Sequence, residues 1–266
     1  MAKFHQNRNL PLAATACFCY LFLILPCVVI FPLSFGNKLG LTFPPSYFSW
    51  DLYREYFSSD TWTEVTVRSA EVALLVAGLA LILGVPGAYG LARSQFFGKR
   101  LLTVFLLSPV LVPAVVLALG LYLYFSRLHL TSTVPGLVFA HTVYVTPFVV
   151  VTTLAGLQQV DDSLERAATI MGASALRTFT QVVVPQIIPS ILSAGLFAFL
   201  MSFDEVVIAW FITGPSTMTL PVKMYSSIKW ETSPVLAAIA TLLSLLSLLI
   251  CLFGLIPARA IDRQES

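Results

Sequence analysis

Ionisable residues divide this chain into long apolar runs. None lies between Arg8 and Lys38, Glu71 and Arg93, Arg100 and Arg127, Arg177 and Asp204, or Glu231 and Arg259, and the run from His129 to Asp161 is interrupted only by His141. A bilayer core about 30 Å thick takes about 20 apolar residues in a helix, and each run is long enough. The pattern predicts six spans, near 11–35, 67–92, 101–125, 134–157, 187–212 and 234–257. The runs are continuous rather than alternating, which selects helices over barrel strands. The first run, about 26 residues, exceeds the apolar stretch of a cleaved signal peptide and reads as a span. The fold class is therefore all-α, a six-helix membrane protein.

Composition sharpens this. Hydrophobic residues make up 58% of the 266 positions and charged residues 11%, with a mean hydropathy of +0.88. A soluble domain carries about 25% charged residues, so a soluble globule is excluded. Disorder needs low hydrophobicity and high charge, and is excluded too. A net charge of +2 does not suit a nucleic-acid binder. Placing the N-terminus in the cytoplasm puts Lys3, Arg8, Arg93, Lys99, Arg100, Arg166, Arg177, Arg259 and Arg263 inside. Lys38, Arg54, Arg68, Arg127, Lys223 and Lys229 then lie outside. The excess inside favours cytoplasmic termini at both ends. The expected organisation is a cytoplasmic segment 1–10, a transmembrane domain 11–257 and a cytoplasmic tail 258–266, with an external loop 36–66 and a cytoplasmic loop 158–185.

Cys17, Cys19, Cys27 and Cys251 lie in apolar spans without metal-ligand or redox spacing, and read as small packing residues. The external loop carries Tyr47, Trp50, Tyr53, Tyr56 and Trp62. Such aromatics are either interface anchors or a docking surface for an external partner. Tyr122 and Tyr124, near the end of the third span, carry the same two readings.

The cytoplasmic loop is the most informative. Asp161, Asp162 and Ser163 are helix-start residues. Leu164, Ala167, Ala168 and Met171 then fall at i, i+3, i+4 and i+7, one apolar face on a short helix. Gly172 suits a left-handed stop. Ser174 can cap a second helix, which is expected to finish before Pro185. A helix this short is marginal alone, so its apolar face needs a groove or a membrane surface.

This run resembles the EAA loop of ATP-binding-cassette (ABC) importer permeases: Glu-Ala-Ala, three residues, Gly, nine residues, Ile, any residue, Leu-Pro. Ala167 and Ala168 fall on the alanines, Gly172 on the Gly, Val182 on the Ile, Val184 on the Leu and Pro185 on the Pro. Arg166 occupies the Glu position, with Glu165 just before it. Ser202-Phe203-Asp204-Glu205, Thr213-Gly214-Pro215 and Thr219-Leu220-Pro221 look like the second permease of spermidine/putrescine-type importers. Some polyamine permeases carry a carboxylate after the Ser-Pro of the third span; here Ser108-Pro109 is followed by Val110. The resemblance implies a type I importer permease of MetI-like fold. It implies a second, different permease subunit, two cytoplasmic ATPases and a periplasmic binding protein. It also implies that Leu164, Glu165, Arg166, Ala167, Ala168, Met171, Gly172 and Pro185 couple to the ATPase. Independently, the chain has no Gly-x-x-x-x-Gly-Lys-[Ser/Thr] phosphate loop, so ATP must be bound elsewhere and no cofactor is expected here. Arg93, Lys99 and Arg100 read as positive-inside residues.

Asp204 and Glu205 sit inside the fifth apolar run, about 27 Å along it if it is one helix. A charge in a span costs about 2.5–3.5 kcal/mol at the bilayer centre and should face protein or water. On a continuous helix Ser190, Ala194, Ala198 and Ser202 form a small-residue stripe with Glu205 in its middle. Asp204 shares a line with Phe197 and Phe211, an arrangement suited to an organic ammonium. The pair is either on the substrate path, with Trp50 and Tyr122 as further candidates, or a structural polar contact between helices. The solute is expected to be a small cationic amine, with opines or amino-acid derivatives as the alternative. An embedded enzyme is disfavoured because His5, His129 and His141 are scattered and form no acid–base or metal constellation. A stand-alone transporter is disfavoured because no inverted repeat is evident.

Overall fold

A computed structural model describes residues 9–37, 40, 42–231 and 233–262, with side chains described only between 13 and 248. Of the expected segment 1–10 and tail 258–266 only 9–10 and 258–262 lie within the described residues, and the side chains of Cys251 and Arg259 lie outside them. Among the described residues every regular element is helical: α1 (Asn9–Leu33), α2 (Asp51–Ser58), α3 (Asp60–Arg93), α4 (Lys99–Leu111), α5 (Ala114–Arg127), α6 (Val134–Leu157), α7 (Asp162–Ile170), α8 (Ala175–Thr178), a π-helical turn (Phe179–Val183), α9 (Val184–Gln186), α10 (Ile188–Phe203), α11 (Val207–Ile212), α12 (Leu220–Trp230) and α13 (Val235–Asp262).

The chain divides into two compact units, one formed by residues 1–63 and 227–266, the other by 64–226. In the first, α13 packs against α1 and α2. Phe35, just past α1, stacks edge-on against Trp50 with centroids 4.9 Å apart, and Tyr53 lies 5.3 Å from Trp50. Ser34 Oγ and Tyr53 OH share a hydrogen bond of 2.7 Å. Cys17, Cys19 and Cys27 are exposed on α1 and do not pack as expected, because α1 buries little of its own surface.

The core of the second unit joins α3, α6 and α10. Thr133 caps α6 by accepting from Gly136 N, and Pro135 starts the helix where a missing N–H costs nothing. Gly156 of α6 meets Ser190 of α10 so closely that a Cβ there would collide with the Ser190 side chain. The small stripe of α10 accounts for this approach: Ala194, Ala198 and Ser202 are buried, and Ser202 bonds to α6. At the far end, Leu220 N donates to Ser69 Oγ at 2.7 Å, fastening the start of α12 to α3.

Individually α1, α3 and α6 are long and apolar enough to cross a membrane. Two other expected spans are bent. The third, 101–125, is not one straight helix: α4 and α5 meet at 107°. Pro113 removes a backbone donor, and Val112 before it is extended at φ −86°, ψ 133°. At the fifth, a bend of 79° at Ile187 separates the α8–α9 segment from α10. With the 28-residue α13 as the last, these account for the six apolar runs.

Candidate functional site

Asp161 caps α7, its Oδ1 accepting from Ser163 N at 2.8 Å. Hydrogen bonds from Ser163, the backbone one first, hold the Asp161 carboxyl below the usual carboxylate range. After Met171 the chain turns on Gly172 at φ +86°, and Ala173 N donates to Ala168 O at 3.0 Å. A side chain at Gly172 would be strained there. Ser174 then caps α8 through Arg177 N. The second helix does not stop before Pro185, as expected from the sequence. The π-helical turn at Phe179–Val183 widens the winding, and Pro185 enters the first turn of α9, where its missing N–H is not needed.

The end of α3 grips α7. Arg93 Nε donates to Glu165 Oε1 at 2.8 Å, and Arg93 Nη1 lies 2.7 Å from Asp162 Oδ1. Tyr89 OH donates to Glu165 Oε2 at 2.9 Å. The Tyr89 ring also packs on Phe179, centroids 4.7 Å apart. Ala168 is buried on the same side of α7. The predicted apolar face is therefore split. Ala168 is covered by the protein, whereas Ala167 is exposed, Leu164 is 47% exposed and Met171 81%; Ile170, outside that face, is 87% exposed. Arg166 is exposed, with a contact of 3.4 Å from its Nε to its own helix at Asp162 O. Arg93 and Tyr89 were not legible as partners of this loop, because nothing local to either residue marks a contact 72 or 76 positions away.

The second cluster lies where the fifth span breaks. The run 187–212 is not one helix: α10 ends at Phe203 and α11 begins at Val207. Glu205 is buried and its Oε1 accepts from Ile208 N at 2.6 Å, so the carboxylate caps α11. Asp204 is exposed. The line through Phe197, Asp204 and Phe211, drawn on a continuous helix, is interrupted at this break. Buried His141 of α6 bonds through Nδ1 to Ser202 Oγ at 2.9 Å. Tyr144, one turn along α6, lies within electrostatic reach of Glu205. His141 was the one ionisable residue interrupting the fourth apolar run, and that was its available signal.

Phe197 lines an open apolar cleft of about 440 Å³ with Leu107, Val110, Phe148 and Val151. Val110, the residue after Ser108-Pro109, thus faces the same space as Phe197. Tyr122 is exposed on α5, the helix that packs against α11. Trp50 belongs to the first unit and its aromatic cluster. Among the described residues no group of three or more His, Cys, Asp or Glu could hold a metal ion.

Residues 78–263 match the family described as binding-protein-dependent transport system inner membrane component. The chain is 30% identical over 230 residues to the spermidine/putrescine transport system permease protein PotC of Haemophilus influenzae, covering 86% of this chain and 89% of that one. It is 31% identical over 231 residues to the putrescine transport system permease protein PotI of Escherichia coli K12, covering 84% and 82%. Among solved structures the fold is similar to a bacterial ABC transporter involved in import of the acidic polysaccharide alginate, with a TM-score of 0.75 at 14% identity, covering 97% and 98%. An amino acid ABC transporter solved with histidines gives 0.57 at 17% identity, covering 77% and 97%. At such identities these two likenesses speak to the fold alone.

Proposed function

The chain belongs to the family of binding-protein-dependent transport system inner membrane components and is a permease subunit of an ABC importer; from that premise we propose that it forms half of the pathway for small cationic amines of the putrescine and spermidine type. Members of this family are multi-pass inner-membrane proteins that work with a periplasmic binding protein and ATPase subunits. The proposed partner in the membrane is a second, different permease, and the proposed orientation has both termini in the cytoplasm. Residues 11–257 would then be the permease domain, with 36–66 outside and 158–185 inside.

The observation that carries the substrate reading is the division of labour between two adjacent carboxylates. Glu205 is engaged by the N-terminus of α11. Asp204 is exposed at the same break. A carboxylate in a span needs a compensating partner, and an ammonium about 4 Å away supplies roughly 4 kcal/mol at an effective dielectric of 20. The apolar cleft at Phe197 lies about two turns, roughly 10 Å, back along α10, and its walls suit methylene segments between ammonium groups. The names of the PotC and PotI relatives support the same class. Tyr122 and Phe211 lie on the packed helices beside the break and complete the proposed path; Trp50 is proposed as an external contact.

On this reading Leu164, Ala167, Met171 and Arg166 meet the ATPase, Glu165 and Ala168 seat α7 on its own subunit, and Gly172 and Pro185 shape the turns around it. The test is uptake of labelled putrescine and spermidine by proteoliposomes containing the complete assembly. ATP-dependent uptake of both that falls in Asp204→Asn supports the proposal. Uptake of neither, or uptake indifferent to Asp204, contradicts it.

A further inference from the structure

We propose that the ATPase surface receiving α7 carries a carboxylate opposite Arg166. This rests on the importer reading above and adds the chemistry of the partner's site.

The argument starts from how α7 spends its charges. Two of its carboxylates are paired within the chain: Glu165 is held by Tyr89 and Arg93, and the exposed Asp162 by Arg93. Asp161 is engaged as the cap by Ser163. Arg166 is exposed, bonded only through a long contact to its own helix backbone and within electrostatic reach of Asp161. Arg177 of α8 is exposed as well, donating to Gln181 one turn along.

Geometry gives the direction. At about 100° per residue, Glu165 and Ala168 define the held side of α7; Arg166 and Ala167 lie about 130° from its midline and Ile170 nearly opposite. The holding residues come from the last turns of α3, a membrane span. The held side of α7 therefore faces the end of a membrane span, and the Arg166 side is turned away from that span. That geometry disfavours lipid headgroups as the occupant, although a cationic amphipathic helix would otherwise suit an anionic surface. The outward side combines Ile170, Met171 and Leu176, the last 72% exposed, with two guanidinium groups. The cations require opposite charge on the receiving surface, and close charge pairs across an interface contribute both affinity and register.

The experiment measures binding of the purified ATPase to the complete permease pair in lipid nanodiscs, at low and high ionic strength, with neutral and with anionic lipid. Arg166→Glu is expected to weaken binding at least about tenfold at low ionic strength, Arg166→Lys far less, and the difference should shrink as salt screens it. Reversal of the matching carboxylate on the ATPase should restore Arg166→Glu. Wild-type affinity in Arg166→Glu overturns the proposal. So does a loss seen only with anionic lipid, which assigns the cation to headgroups. If the unaltered permease binds no ATPase in either lipid, the importer reading itself fails, an outcome distinct from insensitivity to Arg166.

Discussion

Arg93 at the end of α3 and Glu165 in α7 are joined by a hydrogen bond of 2.8 Å across 72 residues of sequence. The same guanidinium reaches Asp162, and Tyr89 closes on the other oxygen of Glu165. Any displacement of α7 by a partner is thus delivered to α3, a membrane-spanning helix. Hydrogen bonds to charged groups contribute about 1.5–3 kcal/mol. Arg93→Ala and Glu165→Ala are each expected to lower transport per ATP hydrolysed by roughly tenfold or more, since 1.4 kcal/mol is tenfold. The double variant should fall short of the sum of the two single losses, because both remove the shared Arg93–Glu165 contact. Uptake and hydrolysis measured together in proteoliposomes check this. Additive losses would separate the two residues.

The α6–α10 contact makes a stability prediction. Gly156→Ala places a methyl group against Ser190. Overpacking of this kind costs about 1–3 kcal/mol. Thermal unfolding in detergent should show a lowered midpoint, and adding Ser190→Gly should recover most of it. Failure of the second substitution to rescue would mean that the contact is not the source of the loss.

Asp204 and Glu205 are adjacent in sequence and differ in role. Asp204→Asn is expected to raise the KM for a cationic amine about tenfold or more, the loss of at least about 1.4 kcal/mol, with the assembly intact. Glu205→Gln keeps an oxygen for Ile208 N and should transport near normally. Glu205→Ala leaves that buried N–H unpaired, at about 1–3 kcal/mol, and should lower the yield of assembled complex. Uptake kinetics together with size-exclusion profiles distinguish the two residues; matching behaviour of Asp204→Asn and Glu205→Ala would refute the distinction.

Gly172 sits at φ +86° between α7 and α8. Gly172→Ala should cost about 1–2 kcal/mol in the turn and tilt α7 relative to α8. Reduced ATPase retention with an unchanged yield of permease is the expected outcome of affinity purification.

Much of this was legible because local chemistry carries it. Membrane-spanning runs follow from the spacing of ionisable residues, and the α7 boundaries follow from Asp161 and Gly172, each of which acts within its own turn. Packing of the α10 stripe was legible because small residues at i, i+4 have one physical use in a span. The break at 204–206 was not. It contains neither Pro nor Gly, and a buried Glu reads equally as a polar contact on a continuous helix or as a cap on a new one. The 107° bend between α4 and α5 had a signal in Pro113, overridden in the reading by an unbroken apolar run. The Arg93 latch was invisible for a different reason: a cation near the inner end of a span satisfies the positive-inside pattern whether or not it has a partner, and its partner lies far along the chain.

The most direct test of the central claim, that α7 couples this permease to a separate ATPase, is a photoreactive side chain at Met171 in the intact complex. Met171 is 81% exposed and on the side of α7 not held by Arg93. Irradiation followed by mass spectrometry is predicted to give an adduct with the ATPase subunit. Adducts with phospholipid alone would contradict the account.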